Sequence, residues 1–218
     1  MAMREPAYQA FTQKLIPTMA QESILGVRIP AIRALARELS GSPAATSFIQ
    51  RLPHLYHEEN MLHAFLIELE RDFDRLMSLT EEFLPYIDNW AACDSFSPPL
   101  FKRYPKEMLP YIRRWMADKH PYTQRFGMKI LMSNYLDEHF RQEMLTWVSS
   151  LWSEEYYVRM MQAWYFATAL TKQYEAALPC IREKHLEIWT HNKAIQKAIE
   201  SRLISLERKQ QLREMKRK

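Results

Sequence analysis

An all-helical chain folded as an α-solenoid is the prediction for these 218 residues, and three observations carry it. Glycine is scarce, 3 in 218, where an average domain holds about 7%. Strand hairpins and phosphate-cradling loops need glycine, so the scarcity argues against both. A degenerate repeat runs along the chain with a period in the mid-thirties. Asn89 to Gln124 is 35 positions, Arg125 to Arg159 is 34 and Val158 to Ala194 is 36. Finally, Pro43, Pro53, Pro85, Pro105, Pro121 and Pro179 mostly fall near expected helix starts or ends. Helix pairs repeating at this period cannot bury their apolar stripes alone, so they stack on their neighbours. No linker long enough to split the chain is visible, so residues 1–218 are expected to form one domain.

The elements follow in order. Tyr8 to about Met19 leaves room for one short helix, limited by Pro17. In Leu25-Gly26-Val27-Arg28-Ile29-Pro30, Gly26 ends the preceding segment in a left-handed conformation. Pro30 then fits the first turn of a new helix, to which Arg28, Arg33 and Arg37 give a basic edge. The first repeat unit opens at His57-Glu58-Glu59-Asn60-Met61. His54, His57 and His63 gather here, but zinc would need a fourth ligand, and a solvated helix face is the expectation.

The second unit opens at Ile87-Asp88-Asn89-Trp90, the third at Pro121-Tyr122-Thr123-Gln124-Arg125. The fourth opens at Glu155-Tyr156-Tyr157-Val158-Arg159, the fifth at His191-Asn192-Lys193-Ala194-Ile195. Met128, Leu131, Met132 and Tyr135 in one unit, and Met160, Trp164, Ala167 and Thr168 in another, keep helical spacing.

The composition, 47% hydrophobic and 26% charged, is that of an ordinary globular protein. A net charge of +4 permits nucleic-acid binding without requiring it. Residues 207–218 carry six basic side chains against two acidic ones, a source of nonspecific phosphate affinity or a solvated terminus. Cys93 and Cys180 lack metal-ligand spacing, which suits a reduced chain rather than a disulfide framework. No window has the length of a membrane span and no secretory pattern opens the sequence, so a cytoplasmic protein is expected. Gly-rich phosphate loops and Gly-x-Ser-x-Gly elbows are absent from the sequence.

The most informative stretch is Asn89 to Pro99. Trp90 and Asp94 stand four residues apart, hence on one face of a helix that otherwise reads as buried. Pro98 and Pro99 end that helix about one turn beyond Asp94. A carboxylate beside an indole suits a site that stabilises a cationic, sugar-like transition state. It equally suits a helix-end Asp beside a core Trp.

These residues resemble the AlkD-like DNA alkylation repair family, built from HEAT-like helical repeats. Leu25 to Pro30 with Arg33 is similar to that family's Gly-x-x-x-Pro helix start. Trp90-Ala91-Ala92-Cys93-Asp94 is similar to its Trp-x-x-x-Asp segment, and Arg159 with Trp164 to its Arg-x-x-x-x-Trp segment. The likeness runs from about residue 20 to the C-terminus. It implies a right-handed superhelix whose concave, basic groove cradles duplex DNA. It also implies a monofunctional glycosylase, without metal or organic cofactor, that excises N3- and N7-alkylated purines.

On this resemblance Asp94 is the catalytic carboxylate, and Trp90 and Trp164 are aromatic walls. Arg125, Arg159, Arg28 and Arg33 are DNA contacts. A monomer is expected. The short stretch before Leu25 resembles a shortened branch of the family. A binding module without catalysis, holding DNA, RNA or protein on the same solenoid, is therefore the alternative. A purely structural scaffold, with Asp94 in an internal ion pair, is a third reading.

Overall fold

The computed structural model describes residues 3–218. Among the described residues there is no strand, and the fold is all-α as the sequence predicts. Contacts group the chain into two compact units, one up to Tyr104 and one from Pro105.

The first unit comprises α1 (Pro6–Leu15), α2 (Ile29–Leu39), α3 (Pro43–Ile49), α4 (His57–Ile67), α5 (Phe73–Phe83) and α6 (Trp90–Ser95). Short 3-10 turns lie at Gln21–Ser23, Leu84–Tyr86 and Pro99–Arg103. Its centre is α4, which packs against α2, α3, α5 and α6. Nearly all of α4 is buried, Ala64 to Glu68 without interruption.

The second unit comprises α7 (Pro105–Met116), α8 (Pro121–Tyr135), α9 (Glu143–Ser149) and α10 (Tyr156–Lys172). It continues with α11 (Tyr174–Arg182), α12 (Ile188–Glu200) and α13 (Leu206–Glu214). Here α10 is central and packs against α8, α9, α11 and α12.

The main packing joins helices one or two places apart along the chain, as in an α-solenoid. Several of the polar bridges across the fold carry the same signature. Gly26 to Glu58 spans 32 positions, Arg33 to Glu68 spans 35, Lys172 to Asp137 spans 35 and Tyr174 to Gln211 spans 37. Each is close to one repeat period, so equivalent faces of successive repeats meet.

Local chemistry sets the helix starts. Asp72, Asn89 and Ser205 each accept a backbone N–H three residues on, satisfying a donor that the first turn cannot. Pro43, Pro105 and Pro121 open α3, α7 and α8, where a missing N–H costs nothing. Pro179 departs from this pattern and stands inside α11. Four of the five repeat units open at a helix start, and the fifth falls within the first turn of α12.

The histidine cluster corrects one expectation. His63 is fully buried, stacked on Phe83 at 4.2 Å between ring centroids, and its Nδ1 lies 2.9 Å from His54 Nε2. His57 is buried as well. The helix face is not solvated, because α4 is buried on nearly all sides by the helices around it, and His54, just before α4, is half-buried against Phe48.

Burial, then the neighbouring His54, pushes the His63 imidazole down to about 3. Burial lowers His54 too. Below its ordinary value of about 6.5, the unfolded chain therefore takes up a proton that the folded chain refuses. Stability is expected to fall as pH drops through that window, by about 2 kcal/mol at pH 5 for His63 alone. Urea melts at pH 7.5 and pH 5 check this, and His63→Leu should flatten the difference.

Candidate nucleic-acid site

The short helix α6 carries the Trp–Asp pair, and its position is fixed at both ends. At the N-terminal end, Asn89 is fully buried and its side-chain oxygen accepts the Ala92 N–H at 2.9 Å. Its amide nitrogen reaches Asp88 Oδ1 at 2.8 Å and His57 Nδ1 at 3.2 Å. Burial holds His57 below the usual imidazole range, which keeps the ring neutral, and because an amide nitrogen can only donate, Nδ1 is the acceptor in this contact. Trp90 is half-buried, and its indole N–H donates to the Leu15 carbonyl at 3.0 Å. The C-terminal end of α1 therefore sets the plane of the ring.

At the other end, Glu68 and Arg33 form a clamp. Glu68 closes α4 and is buried. One of its oxygens accepts Arg33 Nη1 at 2.8 Å and the other accepts the Ser97 N–H. Arg33 Nη2 donates to the Ser95 carbonyl, the last residue of α6, at 3.3 Å. Its guanidinium lies 3.7 Å from the Phe65 ring centroid. The clamp thus supplies the donor and the acceptor that the end of α6 lacks. Asp94 sits between these fixed ends, one turn from Trp90 and half-exposed on the same face.

The glycine segment is a second fixed point. Gly26 adopts φ +77°, in the left-handed region, as the sequence predicts. It ends a 3-10 turn and extended stretch rather than an α-helix. A Cβ there would sit 2.7 Å from the Glu5 carbonyl oxygen. The bare backbone lets Glu58 gather three successive N–H groups, from Leu25 at 2.8 Å, Gly26 at 2.7 Å and Val27 at 3.2 Å. Among the described residues, one helix and one 3-10 turn precede this segment.

The remaining sequence candidates have partners of their own. Arg28 is exposed and forms a two-pronged pair with Glu5, Nε to Oε1 at 2.9 Å and Nη2 to Oε2 at 2.9 Å. It also lies 4.8 Å from the Tyr8 ring. Arg125, on α8, is buried and donates to the Tyr157 carbonyl at 2.7 Å. Arg159, on α10, pairs with Glu187 at 2.6 Å and stacks 4.7 Å from the Trp189 ring. Trp164, five residues further along α10, points to solvent at 41% exposure.

Sequence reasoning missed Glu58, Glu68 and Glu187. Glu68 had a signal: it is a single carboxylate ending the apolar run Ala64-Phe65-Leu66-Ile67, and a buried carboxylate requires partners. Glu58 gave none, since its partners lie 31 to 33 positions away. Glu187 is also the cap of α12, accepting the Trp189 and Thr190 N–H groups, and only its pairing with Arg159, 28 positions away, gave no local signal.

An all-α fold of stacked helices, with a Trp–Asp helix fixed at both ends and several arginines, is the class of protein that the fold and the site define. Residues 2–165 match the family described as DNA alkylation repair enzyme, and the chain belongs to that family. The match takes in α1 to α9 and reaches into α10, including Trp90, Asp94, Arg125, Arg159 and Trp164. No curated protein matches the chain. Membership supports a role in DNA repair, with DNA as the substrate. Among the described residues, no helix is long and apolar enough to cross a membrane.

Proposed function

We propose that this chain is an alkylpurine DNA glycosylase in which Asp94 stabilises the sugar cation formed as the damaged base leaves. One observation carries the reading. Trp90 and Asp94 share the half-exposed face of a helix whose two ends are held by Asn89 and by the Arg33–Glu68 pair. A carboxylate acts electrostatically only when it is already in place before charge develops.

Alkylation at N3 or N7 leaves the purine cationic, so the leaving group needs little acid catalysis. The C1′–N9 bond breaks and its electron pair goes to the purine, which departs neutral. Positive charge grows on the sugar as an oxocarbenium, opposite the Asp94 carboxylate. Water adds to C1′, Asp94 takes its proton, and an abasic site remains. The Trp90 ring beside a cationic base or sugar adds about 0.5–2 kcal/mol of cation–π attraction.

Trp164 offers an exposed indole for stacking on nucleic acid. Arg159 reaches a phosphate by exchanging Glu187 for it, and the buried Arg125 acts by holding the first turn of α10 at the Tyr157 carbonyl. Arg33 serves by positioning α6, and Arg28 reaches a phosphate by exchanging Glu5 for it. The chain acts as a monomer on duplex DNA and draws on no cofactor.

Methylated duplex DNA tests this directly. The expected products are free 7-methylguanine or 3-methyladenine and an intact abasic site, with no complex trapped by borohydride. If duplex is bound but base release stays at the spontaneous rate, the chain is a binding module and not a glycosylase.

A further inference from the structure

We infer that a cleft in the unit up to Tyr104, walled by Arg37, Arg71 and Arg103, binds the phosphodiester backbone of DNA. The inference rests on DNA as the partner in the proposed function, and not on catalysis by Asp94.

The cleft has a volume of about 740 Å³. It lies between the last turn of α2, which brings Arg37, the α4–α5 connection, which brings Arg71, and the 3-10 turn after α6, which brings Arg103. All three arginines are exposed. None of the three guanidinium groups has an ion pair or hydrogen bond among the described residues. That sets them apart from Arg28, Arg33, Arg125 and Arg159, each of which is held by a partner.

Two carboxylates also line the cleft, and neither neutralises the three arginines. Glu68 is bound by Arg33 and the Ser97 N–H. Glu70 accepts the Arg71 and Asp72 N–H groups at 2.7 and 3.1 Å and pairs with Arg75 at 3.0 Å. Arg33 and Arg75 stand outside the lining, so each carboxylate is balanced by its own cation. The cleft therefore keeps the charge of three uncommitted guanidinium groups.

Charge alone would suit any anion, but the walls are more selective. They hold no aromatic ring on which a base could stack, and the apolar surface is limited to Leu69, Leu100 and Pro99. Nucleotide and single-strand sites depend on such stacking. Three arginines on separate elements, without a stacking surface, match a run of phosphates read without regard to sequence. Placement agrees: Glu68 forms part of the wall and also holds Ser97, three residues after Asp94. A strand engaged here runs past the end of the Trp–Asp helix.

The test is the salt dependence of duplex binding, measured by fluorescence anisotropy on the full chain between about 50 and about 200 mM salt. Each phosphate contact contributes about 0.9 to the slope of log affinity against log salt. The variant R37A/R71A/R103A is expected to lose about 2 to 3 from that slope. The corresponding triple Lys variant should retain it, and single Ala variants should each lose about 1. The residues are solvent-facing, and unchanged thermal melts establish that the variants fold.

An unchanged slope in the triple Ala variant overturns the inference, as does failure of the unaltered chain to bind duplex. Titration with inorganic phosphate separates the sources. Phosphate binding lost in the triple variant while duplex binding persists would make this a small-anion site and overturn the inference. If the unaltered chain binds duplex through these arginines yet releases no alkylpurine, the cleft stands and the glycosylase reading falls.

Discussion

Glu58→Ala is expected to cost about 3–5 kcal/mol, because it leaves three successive backbone donors without their acceptor. The Gly26 N–H is buried, so water does not replace the lost carboxylate. A charged acceptor makes each such bond worth about 1.5–3 kcal/mol, and the three are not additive because they share one group. The loss is large against a typical total of about 5–15 kcal/mol. Denaturant melts measure it. Gly26→Ala should destabilise the same segment by its own route, since its Cβ would meet the Glu5 carbonyl oxygen at 2.7 Å and its φ is +77°. If both variants melt like the original chain, the segment is not the fixed point that the geometry describes.

Glu68→Gln is expected to lower stability by about 2–3 kcal/mol and to separate catalysis from binding. Glutamine retains one acceptor where the carboxylate had two, so either Arg33 or the Ser97 N–H loses its partner. The end of α6 loosens and Asp94 is no longer held in one place. Neither Glu68 nor Arg33 touches the reacting bond in this account, and removing a negative charge from the cleft wall does not weaken its hold on phosphate, so duplex affinity should not fall. The single-turnover rate of base release should fall by about tenfold or more, as small misplacements of a preorganised group are costly. Equal losses of affinity and rate would instead assign the pair a role in holding DNA.

Much of the fold was legible in the sequence because it rests on local rules. The prolines at 43, 105 and 121 open helices, and the mid-thirties period reappears as the span of the inter-helix bridges. Gly26 took the left-handed conformation that its position before Pro30 suggested. The Trp90 and Asp94 pair lay on one half-exposed face because a four-residue spacing on a helix leaves little choice.

What was not legible is the environment of charged and titratable side chains. Arg33 read as part of a basic edge, yet it reaches a carboxylate 35 positions away, and nothing near Arg33 in the chain announces Glu68. The histidines at 54, 57 and 63 read as solvated because histidine tolerates water. In the fold, Phe83 and Phe48 stack on His63 and His54. Arg37, Arg71 and Arg103 belong to three separate elements, and only the packing of α2 on α4 and of α4 on α6 brings those elements together.

The most direct measurement is the single-turnover rate of 7-methylguanine release from methylated duplex DNA, by the unaltered chain and by Asp94→Asn side by side. The account predicts release above the spontaneous rate for the unaltered chain. It predicts a loss of about 100- to 1000-fold in the variant, the scale at which one electrostatic group in a site contributes, with duplex affinity retained. Release that survives Asp94→Asn undiminished would contradict the account, because the bond would then be broken without the carboxylate on which the proposal rests.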